Sequence, residues 1–214
     1  MGENISSELP KVASCNGVSS SLVARTGRHH QRYEHGYRLV SGCVPFRYKV
    51  DRSTKNCTHQ AIELLMVTTQ GGPGLLFPKG GWETDETVEE AACREAYEEA
   101  GVRGDLKGYI GAWDFKSKRL QSHLSPEGLC RAYMFALLVK EELDFWPEGN
   151  ARERHWCTPA VAMEKCRYEW MKRVLEQCIL HLSSGQIDTP SASALPSNPL
   201  STDTPRPSHL SVRV

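Results

Sequence analysis

The stretch of residues 80–102 constrains the fold most, because it predicts a helix with both ends defined. Thr87 and Glu90 have the spacing of a capping box at the start of a helix, and Asp85 offers a second choice of N-cap. Alanines fill much of the interval and favour helix, and Gly101 supplies the left-handed residue that ends one. The sequence therefore predicts a helix of about four turns from Thr87 to Ala100.

Three carboxylates of this helix share one side. At about 100° per residue, Glu95, Glu98 and Glu99 fall within an arc of about 100°. Like charges four residues apart destabilise a helix, so a divalent cation would relieve their repulsion. Mg²⁺ takes oxygen ligands and is typically shared with substrate phosphates. A solvated acidic helix face is the alternative that the helix alone leaves open. The opposite side carries residues that can pack on a sheet: Ala92, Cys93, Ala96, Tyr97 and Ala100.

The rest of the chain predicts one α/β domain with polar segments at both ends. Strands are predicted at residues 37–48, 62–69, 106–115 and 131–139, a polar hairpin connection at 51–60, and a second helix at 159–182. Residues 75–77 are short and apolar and lead into the Gly-rich stretch. The domain is predicted to span residues 37–183. Residues 1–36 are predicted to form a flexible N-terminal arm. Residues 184–214 are rich in Ser, Pro and Thr and too poor in large apolar residues to offset their ordering entropy, which predicts a disordered tail.

Composition excludes some classes of partner and bears on location. Basic and acidic residues number 26 each, and the formal net charge of zero argues against a nucleic-acid binder. No apolar run approaches the ~18 residues that span a bilayer, so no membrane association is expected. The eight cysteines occur without a CxxC motif or an opening secretory signal, so we expect reduced, mostly buried thiols. The cytoplasm is the expected location, and the nucleus and the mitochondrion stay open. The acid-free residues 10–33 faintly resemble a transit peptide, but Glu3 and Glu8 precede them, and an ordinary disordered arm is the preferred interpretation.

A fixed pattern runs through the predicted helix and the loop before it. Residues 80–102 fit G-x5-E-x7-R-E-U-x-E-E-x-G-U, where U is apolar. The matching residues are Gly80, Glu86, Arg94, Glu95, Ala96, Glu98, Glu99, Gly101 and Val102. This is the signature of the Nudix hydrolase family, which the chain therefore resembles. Through residues 36–38, 76–83 and 152–156 it also resembles the diphosphoinositol polyphosphate phosphohydrolase branch, especially its plant members. The resemblance implies a single α/β/α sandwich domain with a mixed β-sheet.

The resemblance implies a site on the helix that depends on Mg²⁺ or Mn²⁺. Glu95 and Glu99 would bind the metal, with the backbone carbonyl of Lys79 or Gly80 as a further ligand. Glu98 would be the catalytic base or a third ligand. The pattern leaves open which glutamate deprotonates the attacking water.

Other residues would support the carboxylates or bind the substrate. Arg94 would orient the carboxylates by charge-assisted hydrogen bonds, and Glu86 would have a structural role. The candidate substrate-binding residues are Arg32, Arg38, Thr68, Gln70, Arg131, Arg152, Arg154 and Arg167. Bidentate arginines suit phosphates arranged around a ring. Gln70 stands where animal relatives have a basic residue, and the connection at residues 116–129 differs in length, so the exact substrate stays open.

The expected function is hydrolysis of a phosphoanhydride bond in a small anionic substrate, a diphosphoinositol polyphosphate. The same site would suit diadenosine polyphosphates or other nucleoside diphosphate derivatives, with Trp113, Trp146 or Trp156 stacking on a base. A Nudix protein that binds its ligand without hydrolysis is a third alternative, but such sensors usually lack one of the carboxylates that this chain retains. The sequence makes no prediction of the oligomeric state.

Overall fold

Eight strands and three helices form the described part of the chain, in a computed structural model that describes residues 23–50, 60–117, 119 and 122–184. The strands are β1 (Tyr33–Glu34), β2 (Tyr37–Val50), β3 (Gln60–Thr68), β4 (Leu75–Leu76), β5 (Lys79–Gly81), β6 (Val102–Lys116), β7 (Leu129–Glu142) and β8 (Arg154–Cys157). The helices are α1 (Val88–Ala100), α2 (Pro159–Lys165) and α3 (Glu169–Ser184). The predicted connection at residues 51–59, residues 1–22 of the predicted arm and residues 185–214 of the predicted tail lie outside the described residues.

The strands form one mixed sheet, as predicted. Its order is β4-β3-β2-β7-β6, with β1 and β5 paired to β2 and with β8 paired to β3. β2 and β7 run parallel, in a register that places Arg38 opposite Cys130 and Phe46 opposite Leu138. The other pairings are antiparallel.

Helices pack against the mixed sheet, which confirms the predicted α/β/α sandwich. Residues 39–46 of β2 are all buried, and successive residues of a strand point to opposite faces. α1 is tied to this strand by the Ser41 hydroxyl, which donates to the Val88 carbonyl at 2.6 Å. α3 packs on β6, where the rings of Phe115 and Trp170 stack with their centroids 4.7 Å apart.

Both predicted ends of α1 are confirmed. The Thr87 side chain accepts a hydrogen bond from the Glu90 amide, and the Glu90 side chain accepts one from the Thr87 amide. Gly101 takes the left-handed conformation, with φ 60° and ψ 38°. A Cβ at this position would also lie 2.6 Å from Trp146 Cγ, so both the backbone angle and the packing require glycine.

The predicted second helix is wrong as a single element. α2 ends at Lys165, and α3 begins at Glu169. Between them, Cys166 takes an extended conformation and forms a parallel bridge with Leu75 of β4. The Arg167 amide also donates to the Leu75 carbonyl at 3.0 Å, so pairing with the sheet interrupts the helix. None of the described helices is long and apolar enough to cross a membrane.

Residues 23–36, which the sequence assigns to the flexible arm, contact the domain. β1 pairs with the start of β2. The Arg32 amide donates to the Trp82 carbonyl at 3.0 Å, and the Thr84 amide donates to the His30 carbonyl at 2.7 Å. These bonds hold the described part of the arm against the loop before α1. The domain limits at residues 37 and 183 stay a prediction.

The described cysteines are buried as predicted, but one of them is not a thiol. Cys93 of α1 is disulfide-bonded, so the prediction of reduced thiols is wrong for this residue. The free, buried cysteines are Cys43, Cys130, Cys157, Cys166 and Cys178. The spacing of cysteines along a sequence does not reveal which of them form disulfide bonds, and this is why the prediction failed here.

Candidate active site

Three carboxylates lie buried on one turn of α1. The exposed fractions of Glu95, Glu98 and Glu99 are 7%, 6% and 6%. The alternative of a solvated acidic helix face is therefore wrong. Carboxylates this buried need compensating charges or hydrogen bonds, and their surroundings supply both.

Burial raises the pKa of all three carboxyl groups. For Glu95 burial raises the pKa to about 8, against the opposing effect of the Arg94 charge. Burial likewise raises the pKa of Glu98 and of Glu99, which the nearby charges of Arg94 and Lys79 respectively counteract. Because burial disfavours the ionised form, the site favours a cation that keeps these groups charged.

Arg94 connects the loop before α1 with the carboxylates. Its Nε and Nη2 donate to Glu86 Oε2 and Oε1 at 2.9 and 2.8 Å. Its Nη1 donates to Glu95 Oε1 at 2.7 Å and to Glu98 Oε2 at 3.3 Å. Its Nη2 also donates to the Gly81 carbonyl at 2.7 Å. A buried, bidentate pair of this kind fixes both partners, which fits the supporting roles predicted for Arg94 and Glu86.

Glu99 is neutralised from a second direction. Arg152 pairs with Glu99 through Nη2, and it donates from Nε to Glu148 Oε2 at 2.6 Å. Its Nη1 donates to the Thr68 carbonyl at 3.1 Å. The Lys79 amide donates to Glu99 Oε2 at 2.9 Å, and the Lys79 ammonium is buried, which lowers its pKa. Two basic side chains thus approach the carboxylate that ends the row.

The backbone of β5 lies directly against α1. A Cβ added at Gly80 would lie 2.2–2.4 Å from the carboxylate atoms of Glu95, so a side chain there would displace the carboxylate. Pairing with β2, with Gly80 opposite Ser41, holds this backbone in place. The backbone around Lys79 and Gly80 therefore borders the carboxylates. The predicted use of a carbonyl there as a metal ligand stays a prediction.

The donor atoms fit a hard divalent cation. Glu95, Glu98 and Glu99 offer oxygen, which Mg²⁺ and Mn²⁺ prefer, and Gly80 leaves their space free of a Cβ. Within the described residues, however, no group of three or more His, Cys, Asp or Glu side chains is arranged to hold a metal ion. Guanidinium groups pair with the three carboxylates in this conformation. A bound cation would therefore compete with these groups for carboxylate oxygens.

Some predicted substrate-binding residues lie on the Glu99 side of the site. Arg152 contacts both Glu99 and Thr68, and the Gln70 amide donates to Glu148 Oε2 at 3.4 Å. Thr68 also lines a pocket of about 710 Å³. Arg167 lines the same pocket.

Two other predicted arginines lie by the loop that joins β5 to α1. Arg38 Nε donates to Gln31 Oε1 at 2.7 Å, and a Cβ added at Gly81 would lie 2.8 Å from Arg38 Nη2. Arg32 donates from Nε and Nη2 to two backbone carbonyls of this loop, each at 2.8 Å. Arg32 therefore holds the loop, and the Arg38 guanidinium lies beside it.

Arg131 and Arg154 are held by other partners. Arg131 makes a bidentate pair with Asp114 at 2.7 and 2.9 Å. Arg154 lies 4.1 Å from the centroid of the Trp146 ring and donates to the Gly101 carbonyl at 3.3 Å. These contacts leave both guanidinium groups engaged away from the carboxylate row, and their role in substrate binding stays a prediction.

Arg25 touches the site, although the motif does not point to it. Its backbone amide donates to Glu98 Oε1 at 3.2 Å, across 73 residues of sequence. Its guanidinium donates to Glu83 Oε2 at 2.6 Å and to Asp85 Oδ1 at 3.0 Å. The signal in the sequence is a basic, acid-free segment before an acidic motif, because opposite charges favour such a contact.

A comparison with known domains decides the family. A family model described as the NUDIX domain matches residues 55–178. The chain belongs to the Nudix hydrolase family. Nudix hydrolases are pyrophosphohydrolases, and the chain is such an enzyme. Members of the family act on small phosphorylated substrates and generally need a divalent metal, typically Mg²⁺.

Relatives of this Nudix hydrolase come from plants and animals. Nudix hydrolase 16, mitochondrial, of Arabidopsis thaliana is 59% identical over 155 residues, which cover 72% of this chain and 86% of the relative. Diphosphoinositol polyphosphate phosphohydrolase 3-alpha of Mus musculus is 30% identical over 169 residues, covering 77% of this chain and 89% of the relative.

Solved structures share the Nudix fold. A NUDIX hydrolase from Listeria monocytogenes has a TM-score of 0.53 to this chain at 17% sequence identity. The match covers 71% of this chain and 98% of that one. At this identity the likeness shows the fold alone.

Proposed function

We propose that this Nudix hydrolase cleaves a phosphoanhydride bond of a diphosphoinositol polyphosphate, with Mg²⁺ or Mn²⁺ as cofactor. The observation that carries the proposal is the buried row of Glu95, Glu98 and Glu99, bordered by arginine and lysine side chains. The row supplies anionic oxygens for a metal, and the surrounding cations suit an anionic substrate.

Glu95 and Glu99, with the backbone carbonyl of Lys79 or Gly80, would hold the metal. When bound, a divalent cation neutralises charge on the pyrophosphate and activates water. Arg94 keeps Glu95 in place during binding, because it is itself fixed by Glu86. The ion pair of Arg94 with Glu86 thus holds the proposed metal ligand Glu95 in position.

Glu98 is the proposed base. Its carboxylate accepts one hydrogen bond from Arg94 and one from the Arg25 amide. These bonds orient the carboxylate, but neither is a close bidentate ion pair that would neutralise its charge. Burial raises its pKa, and a base works best when its pKa lies near the working pH. Glu98 takes a proton from water as the oxygen attacks phosphorus. The bond between that phosphorus and the bridging oxygen breaks, and phosphate leaves without a covalent enzyme intermediate.

The substrate class is proposed from a relative and from the tryptophans. The mouse relative at 30% identity is named for diphosphoinositol polyphosphate. Two tryptophans that could stack on a nucleobase are already covered by arginines. Arg154 lies 4.1 Å from the Trp146 ring centroid, and Arg47 lies 3.9 Å from that of Trp156. Trp113 packs against the core. These contacts favour an inositol pyrophosphate over a diadenosine polyphosphate.

The experiment is phosphate release with Mg²⁺ from diphosphoinositol polyphosphates and, separately, from diadenosine polyphosphates. We expect turnover of the inositol compounds, and a loss of about 10²- to 10⁴-fold in Glu98→Gln, the usual effect of removing a general base. If only the diadenosine polyphosphates were hydrolysed, the proposed substrate class would be wrong and nucleotides would take its place. Ligand binding without hydrolysis at any Mg²⁺ or Mn²⁺ concentration would favour a sensor instead of an enzyme acting on these compounds.

We propose a cytoplasmic location, and the mitochondrion is the competing location. The relatives at 59% and 51% identity carry the word mitochondrial in their names. Residues 1–22, which would act as a targeting segment, lie outside the described residues. Imaging the chain with a fluorescent protein at its C-terminus, with and without residues 1–22, would decide between the two.

A further inference from the structure

The N-terminal segment of residues 23–32 lies along the loop that leads into α1. Backbone bonds join the two: the Arg32 amide donates to the Trp82 carbonyl at 3.0 Å, and the Thr84 amide donates to the His30 carbonyl at 2.7 Å. The Gln31 side-chain amide adds a bond to the Leu39 carbonyl at 2.8 Å. The N-terminal segment is therefore fixed by backbone bonds just beyond Arg25.

The guanidinium of Arg25 forms ion pairs with acidic side chains of this loop. It lies 2.6 Å from Glu83 Oε2 and 3.0 Å from Asp85 Oδ1, and 4.0 Å from Glu86 Oε2. Glu86 is the residue that fixes Arg94. Arg25 thus closes a charged network that runs from the loop to the carboxylates of α1.

The backbone of Arg25 reaches the carboxylates directly. Its amide donates to Glu98 Oε1 at 3.2 Å, while Arg94 donates to Glu98 Oε2 at 3.3 Å. The two oxygens are therefore held by donors from different parts of the chain. Removing one donor would leave the carboxylate free to rotate, because a single bond fixes only one of its oxygens.

We propose that Arg25 is a positioning residue for Glu98. Its amide orients the carboxylate, and its guanidinium holds the loop that supports Arg94. The inference rests on the proposed role of Glu98 as the base. It predicts that changes at Arg25 lower kcat while leaving substrate binding nearly unchanged.

The experiment uses the full chain and the substrate that the wild type hydrolyses best in the panel above. Arg25→Pro removes both the amide donor and the guanidinium, Arg25→Ala removes the guanidinium alone, and Arg25→Lys keeps the amide and the charge. Arg173→Ala, at an exposed arginine of α3, is the matched control. Thermal unfolding of each variant checks that the domain still folds.

We expect kcat to fall about tenfold in Arg25→Ala and about a hundredfold in Arg25→Pro, the scale of one and then two hydrogen bonds to charged groups. KM should stay within about threefold, Arg25→Lys should recover most of the loss seen in Arg25→Ala, and Arg173→Ala should match the wild type. A smaller folded fraction would also lower the apparent kcat at unchanged KM, so the unfolding curves must show each variant fully folded at the assay temperature, and the recovery in Arg25→Lys then separates positioning from stability.

The failures are distinguishable. If Glu98→Gln is inactive but Arg25→Pro and Arg25→Ala keep the wild-type kcat, the positioning role is wrong and the proposed function stands. A rise in KM at unchanged kcat would also overturn it, because Arg25 would then bind substrate. If Glu98→Gln keeps its activity, the proposed role of Glu98 is wrong and this inference fails with it, while hydrolysis by the wild type still supports the proposed function. If the wild type hydrolyses nothing in the panel, the proposed function itself fails.

Discussion

The active site combines a helix whose contacts are local with cations that arrive from distant parts of the chain. Arg94 binds Glu86, Glu95 and Glu98, all within eight residues of it. Arg152 reaches Glu99 across 53 residues. Arg25 reaches Glu98 across 73 residues. The carboxylate row is thus positioned by its own helix, whereas its outer charges depend on the whole fold.

The local and the distant contacts have different roles in the site. The local contacts set the spacing of the carboxylates, which a metal site requires to within a fraction of an ångström. The distant cations set the charge that surrounds the row, which affects how a polyphosphorylated substrate is held. Variants of the first group should abolish chemistry or folding, and variants of the second should cause smaller losses.

The largest effect is expected from Glu95→Gln, which removes an anionic metal ligand and keeps the shape. We expect kcat to fall by about three powers of ten, because a catalytic metal contributes several kcal/mol and each ~1.4 kcal/mol is tenfold. Steady-state phosphate release over a range of Mg²⁺ concentrations measures it. If excess Mg²⁺ restored full activity to the variant, Glu95 would be only a minor metal ligand. If the variant kept wild-type activity at every Mg²⁺ concentration, Glu95 would not be a metal ligand.

The next largest effect is expected from Arg94→Met, measured as the free energy of unfolding in urea. Removing one partner of a buried pair leaves the other charge uncompensated, which costs about 3–5 kcal/mol. Arg152→Met should cost less, about 2 kcal/mol, because its partner Glu99 keeps the Lys79 amide as a donor.

The matched control for these two variants is Arg131→Met. Arg131 also makes a bidentate pair, with Asp114, but the two side chains are 37% and 45% exposed. An exposed pair contributes about 0–1 kcal/mol. Equal losses in Arg94→Met and Arg152→Met would break the distinction between local and distant contacts. A large loss of unfolding free energy in Arg131→Met would show that the cost of removing an arginine does not depend on the burial of its ion pair.

The same distinction explains what could be predicted from sequence. The capping box of Thr87 and Glu90, the stop at Gly101 and the shared side of the three glutamates depend on neighbours within a few residues, and all were predictable. The break between α2 and α3 depends on the pairing of Cys166 with Leu75, 91 residues earlier. No local pattern carries that information. The short strands β1, β4, β5 and β8 were not predicted for the same reason, since a neighbouring strand defines them.

Residues around the site divide in the same way. Arg94 and Glu86 stand at fixed motif positions, and the structure pairs them directly. The contact between Arg25 and Glu98 depends on how residues 23–32 fold back along the domain. The disulfide bond of Cys93 was missed because cysteine spacing does not reveal pairing. In this fold, the motif therefore predicts the anionic half of the site and little of the cationic half.

A smaller effect is expected from Mg²⁺ on stability. A metal that binds the folded chain alone stabilises it by about 2.7 kcal/mol at a hundred times its dissociation constant. We therefore expect the melting temperature of the wild type to rise with Mg²⁺, and the rise to shrink in Glu95→Gln. Calorimetry without substrate measures it. If the melting temperature did not change with Mg²⁺, Arg94 and Arg152 would be outcompeting the metal for the carboxylates in the absence of substrate.

The smallest effect is expected from Thr87→Ala, which removes the N-cap of α1. Losing such a cap costs about 1 kcal/mol. Thr158→Ala is the matched control, because Thr158 caps α2 in the same way by accepting from the Val161 amide. Urea unfolding should give similar losses for the two variants, and kcat of Thr87→Ala should stay within about threefold, since a cap mainly affects the first turn. A much smaller loss in Thr87→Ala would show that the N-terminal segment, through its bonds to the loop before α1, holds the start of this helix. The helix would then depend on distant contacts as much as the cations do.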